Sequence, residues 1–148
     1  MSTLVIDCEF NSYKGQLLSM ALVEISTESH PKEFYRELEL PDEPIHEWVN
    51  DNVLSLMDRN NVSTVENFHG ELEVFLCQFE SVHILADWPE DLMYFCEALI
   101  TGPGERINTP PLTMEVRRDL DADSKIPHHA LWDARGIAEL YETLIEEE

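Results

Sequence analysis

Basic residues are scarce in this 148-residue chain, which has 9 Lys and Arg against 31 Asp and Glu and a formal net charge of -22. Proteins that hold long stretches of nucleic acid neutralise the phosphates with a basic surface. The composition therefore argues against extended nucleic-acid binding, and by itself it indicates a solvated, self-repelling surface. A second interpretation of the excess is that some of the carboxylates hold divalent cations.

Cysteines are also few, and their arrangement excludes two common uses. Cys8, Cys77 and Cys96 are odd in number, widely spaced and form no C-x-x-C pair. This pattern excludes a disulfide framework and gives no sign of a zinc site. Because all three lie in apolar stretches, we expect each of them to be buried in the core.

Long apolar runs are absent from the sequence. None approaches the roughly 18–20 residues that a membrane span requires. The N-terminus shows no basic segment followed by an apolar one, which argues against a signal peptide. We therefore expect a cytoplasmic protein without a membrane partner. The length and the 43% hydrophobic content suit a single domain over residues 1–148.

The apolar pattern that is present predicts alternating strands and helices. Three strand-like segments come first, with a turn at Gly15 between the first two, and strands and helices then alternate. Such an order predicts an α/β fold whose mixed central sheet contains a three-strand antiparallel meander and has helices on its faces. Strands are predicted over 3–6, 17–25, 33–40, 82–86 and 111–116, and helices over 45–53, from a capping box at 63–66, from Pro89 and from 129 or 130.

Two carboxylates stand on the first predicted strand. Asp7 and Glu9 are two residues apart, so both side chains leave the same face of the strand. On an otherwise apolar strand they would repel each other and be costly to desolvate. A divalent cation with a preference for oxygen ligands, Mg²⁺ or Mn²⁺, would remove both problems. The alternative is that both are solvated residues beyond the strand end.

A second acidic element, Asp87 to Asp91, follows the predicted strand 82–86 and opens the next helix. Sites in α/β sheets form at such strand-to-helix junctions. Taken alone, Asp87 is best interpreted as a helix N-cap. Asp91 falls in the first helical turn, from which its side chain could reach back toward the sheet.

A third element is His128-His129-Ala130-Leu131-Trp132-Asp133. On one continuous helix His128 and Asp133 would diverge by about 140°. If they act together, His128 must precede the helix, and Pro127 supports a break there. Each residue alone has an ordinary interpretation, since a lone Asp in a first turn usually complements the helix dipole.

In this order, the three elements resemble the DEDDh branch of the DnaQ-like exonucleases, which have a ribonuclease H-like fold. The family pattern is D-x-E on the first strand, an Asp at a strand-to-helix junction and H-x-A-x-x-D at the last helix. Residues 7–9 and 128–133 match the first and last parts, including Ala130. The resemblance spans nearly the whole chain, and it looks most like the small stand-alone exoribonucleases of the RNase AS, RNase T and oligoribonuclease type.

The middle element departs from the family pattern. Relatives often have an Asn four residues before the middle Asp and an aromatic residue just ahead of it. Here Asp87 and Glu90 stand at those positions. The alignment therefore favours Asp91 as the middle carboxylate, with Asp87 as its competitor.

The resemblance implies a 3′–5′ exoribonuclease that releases mononucleotides from single-stranded 3′ ends with two divalent cations, Mg²⁺ or Mn²⁺. Asp7 would serve both cations, Glu9 and Asp133 would complete one site, and Asp91 would support the other. His128, at the first position of the H-x-A-x-x-D motif, would be the general base rather than His129.

The sequence also gives expectations for the substrate and the oligomeric state. RNA is favoured over DNA, and the resemblance implies a homodimer. The competing functions are a DNA 3′–5′ exonuclease and a catalytically silent ribonuclease H-like binding module. For substrate contacts, aromatic side chains would stack on bases and basic ones would meet phosphates. These candidates are Phe10 and Trp88, with Trp132 as an alternative, together with Arg117, Arg118 and Lys125.

Overall fold

A computed structural model describes residues 1–26 and 30–147. The strands are β1 (Ser2–Phe10), β2 (Leu17–Glu24), β3 (Glu33–Leu38), β4 (Val62–Ser63), β5 (Val82–Ala86), β6 (Ile100–Gly102), β7 (Glu105–Arg106) and β8 (Leu112–Val116). The helices are α1 (Glu47–Asn52), α2 (Val65–Leu76), α3 (Pro89–Leu99) and α4 (Ala130–Glu146), and a 3₁₀ turn covers Leu54–Leu56. Within these described ranges, every helix is too short or too polar to cross a bilayer.

The main sheet has six strands in the order β4-β3-β2-β1-β5-β8. Strands β1, β2 and β3 form an antiparallel meander. Strands β5 and β8 add to β1 in parallel, and the short β4 pairs in parallel with β3. The predicted α/β fold with a mixed sheet and an N-terminal meander is therefore confirmed.

Helices cover the two faces of this sheet. Alternate side chains of β1 point to opposite faces, so that Ile6 packs with α2 and α3 while Val5 packs with α4. The α2–α3 face holds the larger apolar cluster, with several phenylalanines. The α4 face uses small residues such as Ala130 and Ala134, which let the helix approach the sheet closely.

Several local predictions need correction. The capping box at Ser63 is wrong, because Ser63 pairs with Leu38 in β4 and Thr64 caps α2, accepting a hydrogen bond from the Asn67 N–H at 3.2 Å. Strand β3 ends at Leu38 rather than at residue 40. The β6–β7 hairpin that follows α3 has no counterpart among the predicted strands.

The prediction that the cysteines are buried holds for one of the three. Cys8 is buried on the α2–α3 face, whereas Cys96 is half-buried and Cys77 is exposed. Cys77 is the C-cap of α2, where the apolar face of that helix has already ended. An apolar sequence neighbourhood therefore did not determine which face each cysteine takes.

Two features of the backbone determine the surroundings of the last residues of β1 and the start of α4. Strand β1 pairs with β5 only from Ser2 to Val5, so its last residues run on without a strand neighbour on that side. The segment 117–129 then crosses to α4 and packs tightly on Gly136, where an added Cβ would lie 2.6 Å from the Asp123 carbonyl oxygen. Glycine at that position lets the segment lie directly on the helix.

Candidate metal centre

Asp7 and Glu9 lie inside β1, on the face that α4 covers. The strand continues to Phe10, Asp7 is buried at 9% exposure and Glu9 is half-buried. The interpretation of this pair as solvated residues beyond a strand end is therefore wrong. Their cross-strand neighbours on β2 are Ala21 and Ser19, neither of which brings a positive charge.

Asp91 reaches β1 from the first turn of α3. Its Oδ1 accepts a hydrogen bond from the Cys8 N–H at 3.0 Å, and only 3% of its surface is exposed. The Cys8 N–H is available because β1 outruns β5. Pro89, at the start of α3, begins the helix where no backbone donor is needed. The side chain of Asp91 thus closes the gap that the shorter β5 leaves.

Asp87 lies between β5 and α3 and is half-buried. The N-cap of α3 is Trp88, with no side-chain cap bond, so the interpretation of Asp87 as a helix cap is wrong. Its own carbonyl oxygen accepts a hydrogen bond from the Arg118 guanidinium. Asp133 is half-buried in the first turn of α4, and its N–H donates to the His129 carbonyl at 2.9 Å.

These carboxylates form two groups that share Asp7. Asp7, Glu9 and Asp133 each present an oxygen within 4.8 Å of the others, and the same holds for Asp7, Asp87 and Asp91. The predicted ligands Asp7, Glu9, Asp91 and Asp133 are therefore brought together from β1, α3 and α4. The competitor Asp87 joins the group of Asp91 rather than replacing it.

The site is electrostatically strained without a cation. Burial raises the pKa of Asp7 well above its ordinary range, and the negative charges of Asp91 and Glu9 raise it further. Burial also raises the pKa of Glu9 to about 9, with the Asp133 carboxylate as the next cause. For Asp91, burial raises the pKa to about 8, although the Cys8 hydrogen bond opposes the shift. Neutralisation, by protons or by a cation, is what this arrangement requires.

The donor set suits a hard divalent cation. All five carboxylates offer oxygen, the ligand that Mg²⁺ and Mn²⁺ prefer. Both groups share the residue Asp7. Its Oδ2 atom is buried and has no hydrogen-bond donor among the described residues. A buried carboxylate oxygen without a donor is costly, and coordination would satisfy it.

His128 lies apart from the carboxylate groups. It is exposed in the turn before α4, with a φ of 71°, and its ring meets the edge of Trp48 at a centroid distance of 5.0 Å. The predicted break between His128 and the helix is confirmed, since α4 begins at Ala130 with His129 as its N-cap. Among residues 1–26 and 30–147, the His128 imidazole has no hydrogen-bond partner, so it is free to meet a ligand.

A cavity of about 330 Å³ opens between Glu9 at the end of β1 and helix α1. Phe10 and Trp48 contribute to its wall, together with Glu90. The ring of Phe10 stacks on Tyr94 at 4.7 Å, so one of its faces is already covered. Trp48 is 49% exposed and was not among the predicted contacts. An exposed aromatic on a short helix has no periodic signature that marks it in the sequence.

Of the basic residues predicted to contact phosphates, Arg118 lies near the carboxylates and Arg117 does not. Arg118 lies beside the site, hydrogen-bonded to the Asp87 carbonyl and with its guanidinium 4.7 Å from the centre of the exposed Trp88 ring. Arg117 instead forms an ion pair with Asp119. The structure therefore brings Arg118 and Trp88 to the carboxylates and does not bring Arg117 there.

Lys125 lies near Trp132. Its ammonium lies 6.0 Å from the centre of the Trp132 ring, and Trp132 immediately precedes Asp133. Arg135 approaches the same ring at 4.8 Å while it pairs with Glu33. Trp132 is thus engaged by cations of its own chain, as Trp88 is by Arg118. Trp48 and Tyr13 are exposed aromatics that line the cavity beside Glu9.

No family model matches the chain, and no curated protein matches it.

Proposed function

We propose that this chain is a metal-dependent 3′–5′ exoribonuclease of the DEDDh type with a ribonuclease H-like fold. The single observation that carries the proposal is the pair of carboxylate groups that share Asp7. One shared carboxylate between two oxygen-ligand sets suits two-cation phosphodiester hydrolysis, in which the two cations lie close together. The meander followed by the parallel strands β5 and β8 supports the fold assignment.

Each side chain has a role that follows from its position. Asp7 would contribute to both cation sites, Glu9 and Asp133 would complete one, and Asp91 with Asp87 would complete the other. Two bound cations supply charge neutralisation at the attacking and leaving oxygens of the phosphodiester. His128, which carries no hydrogen bond within the described ranges, would accept a proton from the attacking water at its imidazole.

The substrate is a short single-stranded 3′ end, with RNA favoured over DNA. A terminal base would enter the cavity between Phe10 and Trp48, where an exposed aromatic face can stack on any base. Arg118 would meet a phosphate beside Asp87. With so few basic residues, contact with a long strand would be repelled by the surface. A homodimer would allow the partner copy to supply further basic residues.

The test is a nuclease assay on 5′-labelled single-stranded RNA and on DNA of the same sequence. We expect stepwise removal of mononucleotides from the 3′ end of the RNA with Mn²⁺ or Mg²⁺, and none with chelator. Asp7→Asn should abolish the reaction, and Asp119→Asn is the matched control because Asp119 pairs with Arg117 outside the carboxylate groups.

Each alternative function predicts its own result in this assay. Faster removal from DNA would identify a DNA exonuclease. RNA binding without any metal-dependent release would identify a silent binding module and contradict the proposal.

A further inference from the structure

The turn that carries His128 is weakly held by its own backbone. His128 has a left-handed φ of 71°, and the His129 N–H donates to the Ile126 carbonyl at a long 3.3 Å. The His129 side chain makes no cap hydrogen bond, and its Nδ1 is buried without a partner among the described residues. The orientation of this turn must therefore come from packing against other elements.

Tyr35 of β3 packs against this turn from the sheet. Its ring stacks on the His129 ring with a centroid distance of 4.9 Å and an interplanar angle of 27°. Tyr35 lies in register with Ala21 and Asp7 across the sheet, so it occupies the same row as the shared carboxylate. The histidine turn thus rests on a side chain that the sheet places relative to Asp7.

Tyr35 is in turn fixed at its hydroxyl. That hydroxyl donates a hydrogen bond to Glu37 Oε2 at 2.5 Å, and Glu37 is buried at 4% exposure. The same carboxylate accepts from the Asp58 N–H at 3.0 Å and from the Arg59 N–H at 2.7 Å. A ring that is anchored at its far end by a buried, fully used acceptor cannot easily rotate away from His129.

We propose that Tyr35, anchored by Glu37, is a positioning residue that supports His129 and thereby holds His128 against Trp48, which lines the cavity beside Glu9. This inference rests on the proposed function of His128 as general base. Tyr35 itself touches no reacting group; it acts through the turn. Trp48 on the other side of His128 completes the support, because it meets the His128 ring at 5.0 Å.

The experiment compares Tyr35→Leu, Tyr35→Phe and Glu37→Gln with Tyr141→Leu as the matched control. Tyr141 is a half-buried tyrosine on the same face of the sheet, near Arg117 rather than the histidines. We expect Tyr35→Leu to lower kcat on the order of tenfold with KM and Mn²⁺ affinity unchanged, since misplacement of a base affects the chemical step. Tyr35→Phe keeps the ring and should lose less, as should Glu37→Gln.

A double-mutant cycle separates positioning from general damage. In a His128→Ala background, Tyr35→Leu should cost no further activity, because there is no base left to position. An equal additional loss in that background would overturn the proposal, as would a loss of the same size in Tyr141→Leu. If Tyr35→Leu does not fold, the same cycle is carried out with Tyr35→Phe.

A second measurement does not depend on catalysis. The side-chain NMR resonances of His128 and His129 should move in Tyr35→Leu and stay in place in Tyr141→Leu. Unchanged histidine resonances would overturn the positioning role even in an active enzyme. If the wild-type protein hydrolyses nothing, the proposed function fails, while shifted histidine resonances would still support the packing of the turn on Tyr35.

Discussion

Glu37 and Asp7 are buried carboxylates on the same face of the sheet, but they differ in whether the chain supplies hydrogen-bond donors to their oxygens. Glu37 accepts two backbone N–H bonds and a tyrosine hydroxyl, so its oxygens are satisfied by the chain itself. Asp7 is also buried, yet its Oδ2 has no donor within the described residues and other carboxylates surround it. Because an unsatisfied buried charge is costly, the first arrangement suits a structural residue, and the second suits the cation ligand that we propose Asp7 to be.

The largest effect should come from Asp7→Asn, which removes the carboxylate that both groups share. We expect turnover to fall by at least about a thousandfold and calorimetric Mn²⁺ binding to be lost. Glu37→Gln is the matched control, because it also neutralises a buried carboxylate on this face but should keep Mn²⁺ affinity. Equal Mn²⁺ binding by wild type and Asp7→Asn would show that Asp7, like Glu37, is not a cation ligand.

His128→Ala should produce the next largest loss. Removal of a general base typically costs about 10²- to 10⁴-fold in rate. Mn²⁺ affinity should remain near that of the wild type, since His128 lies outside both carboxylate groups. His129→Ala is the control, with a smaller expected loss through the turn alone. Near-normal turnover of the His128 variant would exclude its role.

The middle carboxylate can be identified by a comparison of Asp91→Asn with Asp87→Asn. We expect Asp91→Asn to lower turnover on the order of a hundredfold and Asp87→Asn on the order of tenfold. Asp91 is the more buried of the two, and an Asn there can still accept the Cys8 N–H bond, so the fold should survive. Inactivation by the Asp87 change alone would assign the middle role to Asp87.

The smallest effect is a pH dependence of stability in the cation-free protein. The pKa values of Glu9 and Asp91 are raised to about 9 and about 8, from ordinary values of 4.5 and 3.8. Between the ordinary and raised values the folded chain binds protons that the unfolded chain has released, so the free energy of unfolding falls as pH rises through this window.

Thermal melts in chelator at pH 5, 7 and 9 measure this dependence. We expect Tm to fall by several degrees toward pH 9. The decline should be shallower in Asp91→Asn, and Mn²⁺ should stabilise the wild type most at high pH, where it meets ionised carboxylates. A Tm that rises with pH by the same amount in both proteins would contradict strained carboxylates as the cause.

Much of the fold could be predicted because its elements have strong periodic patterns. Strand β5 was predicted to the residue, and Pro89 lies in the first turn of α3 as predicted. The two-residue β4 and the β6–β7 hairpin were missed, since such short elements depend on tertiary pairing rather than on a local pattern. The Ser63 cap failed for the same reason, because pairing with Leu38 outweighed a local capping motif.

The candidate site was predictable where two carboxylates share a strand period or a motif, as Asp7 and Glu9 do. That Asp87 and Asp91 lie in the same carboxylate group could not be predicted. Their positions depend on how far β1 extends beyond the end of β5. Trp48 and Tyr35 were missed because each contacts a histidine about 80 or more residues away. Sequence distance of this kind leaves no local trace.

Gly136 has a consequence for genetics rather than for chemistry. It carries no reactive group, but a methyl group there would press on the Asp123 carbonyl and lift the segment that leads to Arg118 on one side and His128 on the other. A random screen for inactive alleles should therefore find substitutions at position 136 as well as substitutions of the carboxylates. Gly136→Ala should give a heat-sensitive allele, in which the ligands are intact and only the path of the chain has changed.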